Sequence, residues 1–415
     1  MCLDEWLHYL EGLHPTAIDL GLQRVAQVRD VLLPVIKTPV IVVGGTNGKG
    51  STCAYLESIL TAAGYRVGLY TSPHLLRYNE RVRITQSEVD DAALCAAFAA
   101  IEVARGDVSL SYFEFGTLAA MWLFDKAAVD VAIMEVGLGG RLDAVNIFDA
   151  RCAVITSVDI DHTEYLGATR ELIAREKAGV FRTGRPAICG DMSPPEVLHD
   201  EALRLGANWL AIGDAYRFQP HVSSWDYHGA GEYLNLPLPL MQGDYQLSNA
   251  ATAIAALESV CADFSVTESA IREGLQHAKV PGRFQVLPGK PQRILDVAHN
   301  PHGASALAAN LMDAPVSGKS YAVFSMLADK DIAGVVAAMR DVIDVWVVAG
   351  LDLPRGTSAE TLQMVLASVG VTNIVLVGSV EAAWIFACEQ AQENDRICVF
   401  GSFYTVAAVL RLIAD

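Results

Sequence analysis

Short uninterrupted apolar runs alternate with stretches whose apolar residues recur at helical spacing, and this rhythm holds for most of the chain. Val40-Ile41-Val42-Val43, Val67-Gly68-Leu69-Tyr70, residues 131–136 and Ala153-Val154-Ile155-Thr156 read as strands that are apolar on both sides. Residues 52–63 carry helical spacing and stop at Gly64. Continuous apolar strands separated by helices predict a parallel sheet covered on both faces. The rhythm breaks over residues 216–240, which are rich in Pro, Gly, His and Trp and suit a small irregular or antiparallel insert. Helical patterns return over 248–260 and 268–277, and Lys279-Val280-Pro281-Gly282-Arg283 then reads as a hinge. Beyond it, strand-like runs at 294–297, 321–324, 345–348, 374–377 and 397–400 alternate with helical patterns. The expected fold class is α/β: a doubly wound domain over residues 1–280 and a smaller Rossmann-like α/β domain over 281–415. No repeat of fixed period appears, and the second series has no copy of the glycine-rich turn found in the first.

Charge narrows the choice of partners. Acidic residues outnumber basic ones by 48 to 30 in a chain of 415, a net charge of -18. Nucleic acid and anionic membrane surfaces need clustered Lys and Arg, so neither is expected as a partner. A small anionic ligand stays open, because a local pocket can be basic or metal-loaded on an acidic protein. A composition that is 52% hydrophobic and 19% charged excludes a disordered chain. The 8 cysteines form no C-x-x-C pair and several lie in apolar runs, so buried free thiols in a reducing cytoplasm are expected. The start Met1-Cys2-Leu3-Asp4-Glu5 lacks the basic opening of a signal peptide. No uncharged apolar stretch reaches the roughly 18 residues that span a bilayer.

The strongest chemical signal is Gly44-Gly45-Thr46-Asn47-Gly48-Lys49-Gly50-Ser51, which follows a buried strand and opens a helix. That is the context of a phosphate loop: backbone N–H groups face the turn, the helix N-terminus adds positive potential, and a lysine reaches the terminal phosphates. The spacing departs from the usual G-x-x-x-x-G-K-[ST], since Val43 stands at the first glycine and Gly50 separates Lys49 from Ser51. The first domain is therefore expected to be of the P-loop ATPase type. Glu135 interrupts an apolar strand near its C-terminal end, the edge where doubly wound sheets bind ligands. It suits either a Mg²⁺ beside phosphates or a buried ion pair. His162, in Asp161-His162 after another apolar strand, is placed on the same edge, with a structural histidine as the plainer reading. Lys177, in Arg175-Glu176-Lys177-Ala178-Gly179, reads by pattern alone as a solvated helix charge. In the second series a strand is expected to end in Asp296, followed by His299, Asn300 and Pro301. Ribose or phosphate contacts and a helix cap at Asn300 fit these residues equally well.

Further motifs complete an ordered series. They are Ala17-Ile18-Asp19-Leu20-Gly21-Leu22, Thr71-Ser72-Pro73-His74, Tyr112-Phe113-Glu114-Phe115-Gly116-Thr117, Gln246-Leu247-Ser248-Asn249-Ala250 and Pro281-Gly282-Arg283. Together with the phosphate loop and the segments around Glu135, His162, Lys177 and Asp296, the series resembles the folylpolyglutamate synthase and dihydrofolate synthase family. That family is related to the Mur peptide ligases. The similarity spans nearly the whole chain, and the glycine after Lys49 is the family's own form of the loop. Gln23 stands where the bacterial pattern has an acid, a surface detail.

The resemblance implies a role for each matching position. Gly45, Thr46, Asn47, Gly48, Lys49, Gly50 and Ser51 would cradle the ATP phosphates. Asn249, Arg283 and Asp296 would meet the rest of the nucleotide, with His299 a further catalytic candidate beside Lys49 and Lys177. Ser72, Glu135, His162 and Lys177 would hold Mg²⁺, Lys177 as a carbamate. Ile18, Asp19, Leu20, Gly21, Ser111, Tyr112, Phe113, Glu114, Leu142, Asp143 and Ala144 would form a pterin pocket. The implied activity joins L-glutamate to dihydropteroate and to reduced folates through an acyl phosphate, in folate biosynthesis and one-carbon metabolism. The chain is expected to act as a cytoplasmic monomer. A cell-wall Mur ligase is the nearest alternative, but the phosphate loop begins by residue 45 and leaves no room for a UDP-sugar domain before it. A regulatory ATP-binding module is another. A GTPase switch would carry Asn-Lys-x-Asp, which is missing.

Overall fold

The computed structural model describes residues 1–16 and 18–414; Ala17, the first residue of the N-terminal motif, and Asp415 lie outside the described residues. The chain divides into two compact units, one formed by Met1–Leu240 and Gln246–Lys279, the other by Met241–Tyr245 and Val280–Asp415.

The first unit is built on an eight-stranded sheet. Its strands are β1 (Val40–Gly44), β2 (Val67–Tyr70), β3 (Val82–Ile84), β4 (Ser87–Glu88), β5 (Val131–Glu135), β6 (Ala150–Ile155), β7 (Pro186–Cys189) and β8 (Asn208–Ala211). Their order is β4-β3-β2-β5-β1-β6-β7-β8. Pairing is parallel from β2 to β8, and β3 and β4 add an antiparallel edge. The expectation of a wholly parallel sheet is corrected by that hairpin. Its strands are too short and polar to show as apolar runs, and Arg83 ties it to buried Glu57. β1 lies between β5 and β6, so the chain leaves β1 where the strand order reverses, the crevice in which such sheets bind ligands. Every residue of β1 and β5 is buried, as a strand sandwiched between helix layers requires.

The helix expected from residue 52 begins three residues earlier, at Lys49–Ala62, because Gly48 takes a left-handed conformation (φ 85°) and turns the loop straight into it. The insert is a three-stranded antiparallel sheet, β9 (Arg217–Pro220), β10 (Ser224–His228) and β11 (Glu232–Pro237), in the order β11-β10-β9. Trp225 and Tyr227 on one face of β10 are fully buried. The Glu258 carboxylate accepts the Tyr227 hydroxyl and the N–H groups of Ala230 and Gly231, which fastens the insert to helix Asp244–Ser259.

The second unit has six strands: β12 (Gln285–Leu287), β13 (Gln292–Leu295), β14 (Ser320–Phe324), β15 (Val345–Ala349), β16 (Ile374–Val377) and β17 (Arg396–Phe400). Their order is β12-β13-β17-β14-β15-β16, parallel except at β12. β13 ends at Leu295, so Asp296 stands one residue beyond the strand rather than within it. All 8 cysteines are free, but Cys2, Cys261 and Cys388 are exposed, which corrects the expectation of buried thiols. Cys2 precedes the first helix and Cys261 follows Asp244–Ser259, both outside the apolar runs, whereas Cys388 ends an apolar run of helix Val380–Gln390 but lies on its exposed side.

Candidate active site

The glycine-rich loop leaves the end of β1 and is laced to the segment that follows its neighbour β6. The Thr46 N–H donates to the Ser157 carbonyl at 2.8 Å and the Asn47 N–H to the Ser157 hydroxyl at 2.9 Å. The Thr46 hydroxyl donates to the Asp159 carbonyl and accepts the Asp159 N–H, at 3.1 and 2.9 Å. The Thr156 hydroxyl donates to the Asn47 carbonyl at 2.6 Å. That crossing leaves no room for a side chain at Gly45, where a Cβ would lie 1.9 Å from the Thr156 oxygen. Lys49 curls back, its Nζ donating to the carbonyls of Gly45 and Thr46 at 3.1 Å each. The loop is thus held open by its neighbours, with its lysine folded over it.

Thr156, Ser157 and Asp159 were not among the sequence candidates. Their local trace in the sequence is two hydroxyl residues directly after an apolar run, and the pairing of β6 with β1 is what makes them neighbours of the loop. A buried amide network backs the same loop. Gln246 donates to the Ser51 hydroxyl at 3.3 Å and accepts from Asn249 and Tyr55 at 3.2 and 3.4 Å. Gln246 is fully buried, which marks it as the organiser of Ser51 and Asn249.

Glu135 ends β5 opposite Val43 of β1, so its carboxylate emerges at the edge where the phosphate loop starts. One oxygen accepts the Ser72 N–H at 3.1 Å, which brings two of the metal candidates together. His162 adopts a left-handed conformation (φ 52°) and its N–H donates to Asp161, which fixes the bend after β6. Lys177, a solvated helix charge by pattern, is instead 3% exposed. Burial first, then the nearby Lys49 charge, push its amine down to about 7, against the pull of Asp161 and Asp143. Among the described residues no group of three or more His, Cys, Asp or Glu gathers to hold a metal. The candidate set is one buried carboxylate, one imidazole, one hydroxyl and a lysine whose amine burial brings down to about 7. Carboxylate and hydroxyl oxygens suit Mg²⁺, which keeps room for water and phosphate ligands. A neutral lysine can add CO₂ and supply another oxygen.

The expected pterin residues meet through Arg24, which the sequence reading missed. Arg24 pairs with Asp19 at 2.7 Å and with Glu114 at 3.1 Å. It therefore joins the N-terminal segment to the start of helix Tyr112–Lys126. Ser111 caps that helix and Glu114 returns a bond to the Ser111 N–H at 2.7 Å. His14 also bonds Asp19, at 3.1 Å. Ile18, Leu20, Gly21, Tyr112, Phe113 and Leu142 are partly exposed, whereas Ala144 is buried. Phe113 lies so close to Gly137 that a Cβ there would be 2.7 Å from the ring. Asp143 is buried and accepts the N–H groups of Leu138 and Val145 at 2.8 and 3.0 Å, which shapes the turn after β5. Burial pushes its carboxyl up to about 6, opposed by those N–H groups and by Lys49.

In the second unit Arg283, Asp296 and His299 form their own cluster. The Asp296 oxygens accept the N–H groups of Phe284 and Ala298, both at 2.8 Å. Burial raises its pKa and Arg283 lowers it. His299 Nδ1 is 2.8 Å from the Val297 carbonyl, and Arg283 and His299 both lie against the Phe403 ring. Asn300 caps helix Pro301–Asp313 by accepting the Gly303 N–H at 2.8 Å, so the cap accounts for that residue.

A family model described as Mur ligase middle domain matches residues 43–257. A second, described as Mur ligase, glutamate ligase domain, matches residues 282–403. The dihydrofolate synthase/folylpolyglutamate synthase of Escherichia coli (strain K12) is 49% identical over 415 residues, 99% of this chain and 95% of that protein. The protein of the same description from Haemophilus influenzae is 43% identical over 426 residues, 98% of this chain and 96% of its own. Among solved structures, E. coli FolC in complex with DHPP and ADP aligns with a TM-score of 0.95 and 48% identity, covering 100% of this chain and 98% of that one. A bifunctional folylpolyglutamate synthase/dihydrofolate synthase with Mn, AMPPNP and L-glutamate bound aligns with a TM-score of 0.92 and 47% identity, covering 100% and 98%.

Proposed function

This chain belongs to the Mur ligase family, among its dihydrofolate synthase/folylpolyglutamate synthases, and on that premise we propose that it joins L-glutamate to both dihydropteroate and reduced folates with ATP. The observation that supports the residue assignment is geometric: Glu135 ends β5 opposite Val43, where the phosphate loop begins, and accepts the Ser72 N–H at 3.1 Å.

A carboxylate is a poor acylating agent, because it is anionic and has no good leaving group. Its oxygen attacks the γ-phosphorus of ATP, the bond to ADP breaks, and an acyl phosphate forms. The glutamate amine, in its neutral form, then attacks the carbonyl carbon, phosphate departs, and the nitrogen loses one proton and keeps one as the amide N–H. Lys49 swings from the carbonyls of Gly45 and Thr46 onto the phosphates and offsets charge on the group in transit. The backbone N–H groups of the loop, held by Thr156 and Ser157, orient the phosphates. Ser72, Glu135, His162 and carbamylated Lys177 would hold Mg²⁺, whose charge screens the phosphates. Asn249 serves the nucleotide within the first unit, and Arg283, Asp296 and His299 are the second unit's own candidates for it. Asp19 and Asp143 accept from the amino group and N–H of the pterin, with Tyr112 and Phe113 beside the ring.

The assignment divides the chain functionally into residues 1–280, for ATP and pterin, and 281–415, for ligation. A net charge of -18 speaks against nucleic-acid or anionic membrane partners, and 8 free cysteines suit a reducing cytoplasm. Among the described residues no helix is long and apolar enough to cross a membrane. The test is ATP-dependent incorporation of labelled glutamate, run separately with dihydropteroate and with a reduced folate. Glutamate-dependent ADP release with both acceptors is expected, and release with neither would overturn the reading.

A further inference from the structure

Arg81 is the residue to which no role has been given and whose surroundings ask for one. It ends the short turn Tyr78–Arg81, and its carbonyl accepts the Thr71 N–H at 2.9 Å, one residue before Ser72. Its Nε donates to His74 Nδ1 at 2.8 Å. Its guanidinium carbon lies 5.2 Å from the Tyr78 ring centroid and 5.4 Å from that of Tyr112. One hydrogen bond and two aromatic rings therefore fix the plane of the group. Yet among the described residues Arg81 forms no ion pair, whereas Arg83, two residues on, is paired with Glu57. Beside it the buried Tyr70 and Tyr78 hydroxyls have no partner in good hydrogen-bond geometry, with Thr117 and Arg81 close to that of Tyr70. The Arg81 charge pulls both phenols down against the burial that raises them. Gly116 closes the cluster, since a Cβ there would lie 2.5 Å from the Tyr78 hydroxyl and 3.0 Å from that of Tyr70.

An unpaired guanidinium held at a fixed angle is a receptor for a planar anion, because its N–H fork matches a carboxylate or phosphate edge. Arg81 touches the Ser72–His74 loop on one side and Tyr112 on the other, the metal end and the pterin end of the proposed site. The acceptor's anionic group between those two ends is its aryl carboxylate, the group that ATP phosphorylates. We propose that Arg81 is a catalytic residue that binds this carboxylate and then the acyl phosphate made from it. The inference rests on the acceptor reading above and adds the group that holds the reacting atoms. Arg81 would keep one carboxylate oxygen neutralised while the other attacks phosphorus, so the dianionic acyl phosphate forms against a fixed cation.

The test compares dihydropteroate with its carboxamide, which keeps the ring and loses the charge, by fluorescence titration of wild type, Arg81→Met and Arg81→Lys. Wild type is expected to prefer the carboxylate by about 10- to 100-fold, the range of charge-assisted bonds. Arg81→Met should bring the two ligands to near-equal affinity without weakening the carboxamide, and Arg81→Lys should fall between. General damage to the fold would weaken both ligands and keep their ratio. A preference retained in Arg81→Met overturns the proposal, and so does a wild type that binds both alike. If wild type neither binds nor ligates dihydropteroate, the acceptor reading falls first and takes this one with it.

Discussion

Asn249 sits against Gly48 so closely that a Cβ on the glycine would lie 2.5 Å from the Asn249 Oδ1. Gly48 also has a φ of 85°, which costs an L-residue about 1–2 kcal/mol. Gly48→Ala must therefore strain the loop or push aside a side chain proposed to meet the nucleotide. ADP affinity is expected to fall by about 10- to 100-fold, with only a few degrees lost in Tm. A fluorescent ADP analogue reports it, and unchanged affinity would mean that the loop does not hold phosphate in this shape.

Lys49→Ala should nearly abolish turnover and leave the fold intact. Among the described residues the lysine donates to the carbonyls of Gly45 and Thr46, so its loss opens no core cavity, and buried Asp143 keeps the backbone N–H groups of Leu138 and Val145 when the Lys49 charge is gone. Circular dichroism and ADP release, measured on the same sample, check both halves. A folded variant with near-normal ligation would end the phosphate-loop assignment.

Gly48 and Lys49 were legible in the sequence because local pattern placed them, while Asn249 entered through the family resemblance. An apolar run, a glycine-rich turn and a helix fix β1, the loop and Lys49–Ala62 in order, and helix Glu268–His277 appears at its expected bounds. What was hidden depends on strand adjacency. Nothing local to Thr156 or Ser157 says that β6 lies beside β1, yet that pairing alone brings their hydroxyls to the loop. Lys177 is a similar case, since its helix Arg170–Ala178 is charged around most of its circumference. Its burial comes from the turn at Gly140, which packs so tightly that a Cβ there would sit 2.9 Å from the Glu176 carbonyl. Arg24 escaped notice because its partners are 5 and 90 residues away, and only the fold brings Glu114 to it.

The burial of Lys177 makes its chemistry depend on pH in two ways. In the unfolded chain it keeps its proton up to the ordinary 10.5, and in the fold only up to about 7. Between those values the unfolded chain binds the extra proton, so stability rises with pH across that window and is flat below it. In CO₂-free buffer the urea midpoint should rise from pH 7 to pH 9 in wild type and not in Lys177→Met. Addition of CO₂ to the neutral amine forms an N–C bond and releases a proton, so activity in bicarbonate should fall as pH drops below about 7. Lys177→Ala should lose activity that a short carboxylic acid partly restores. Labelled bicarbonate that yields no carbamate signal on the wild-type protein would sink the carbamate.

The use of dihydropteroate as an acceptor turns on Asp19. Its Oδ2 takes Arg24 at 2.7 Å and His14 at 3.1 Å, which leaves Oδ1 for a donor on the pterin. Asp19→Ala removes that acceptor and the Asp19 bonds to His14 and Arg24, but Arg24 stays paired with buried Glu114 at 3.1 Å and no carboxylate is orphaned. The fold should therefore survive, and the KM for dihydropteroate should rise about 10- to 100-fold, as expected for a charge-assisted hydrogen bond lost at a partly buried site. ATP binding measured without glutamate should not change, since Asp19 is separated in function from the phosphate loop. Parallel assays of dihydropteroate ligation and reduced-folate extension then decide whether one pocket serves both acceptors. Equal losses in the two assays mean a shared pocket. A purified wild type that extends a reduced folate but releases no ADP with saturating dihydropteroate and glutamate would leave only the polyglutamylation half of the activity.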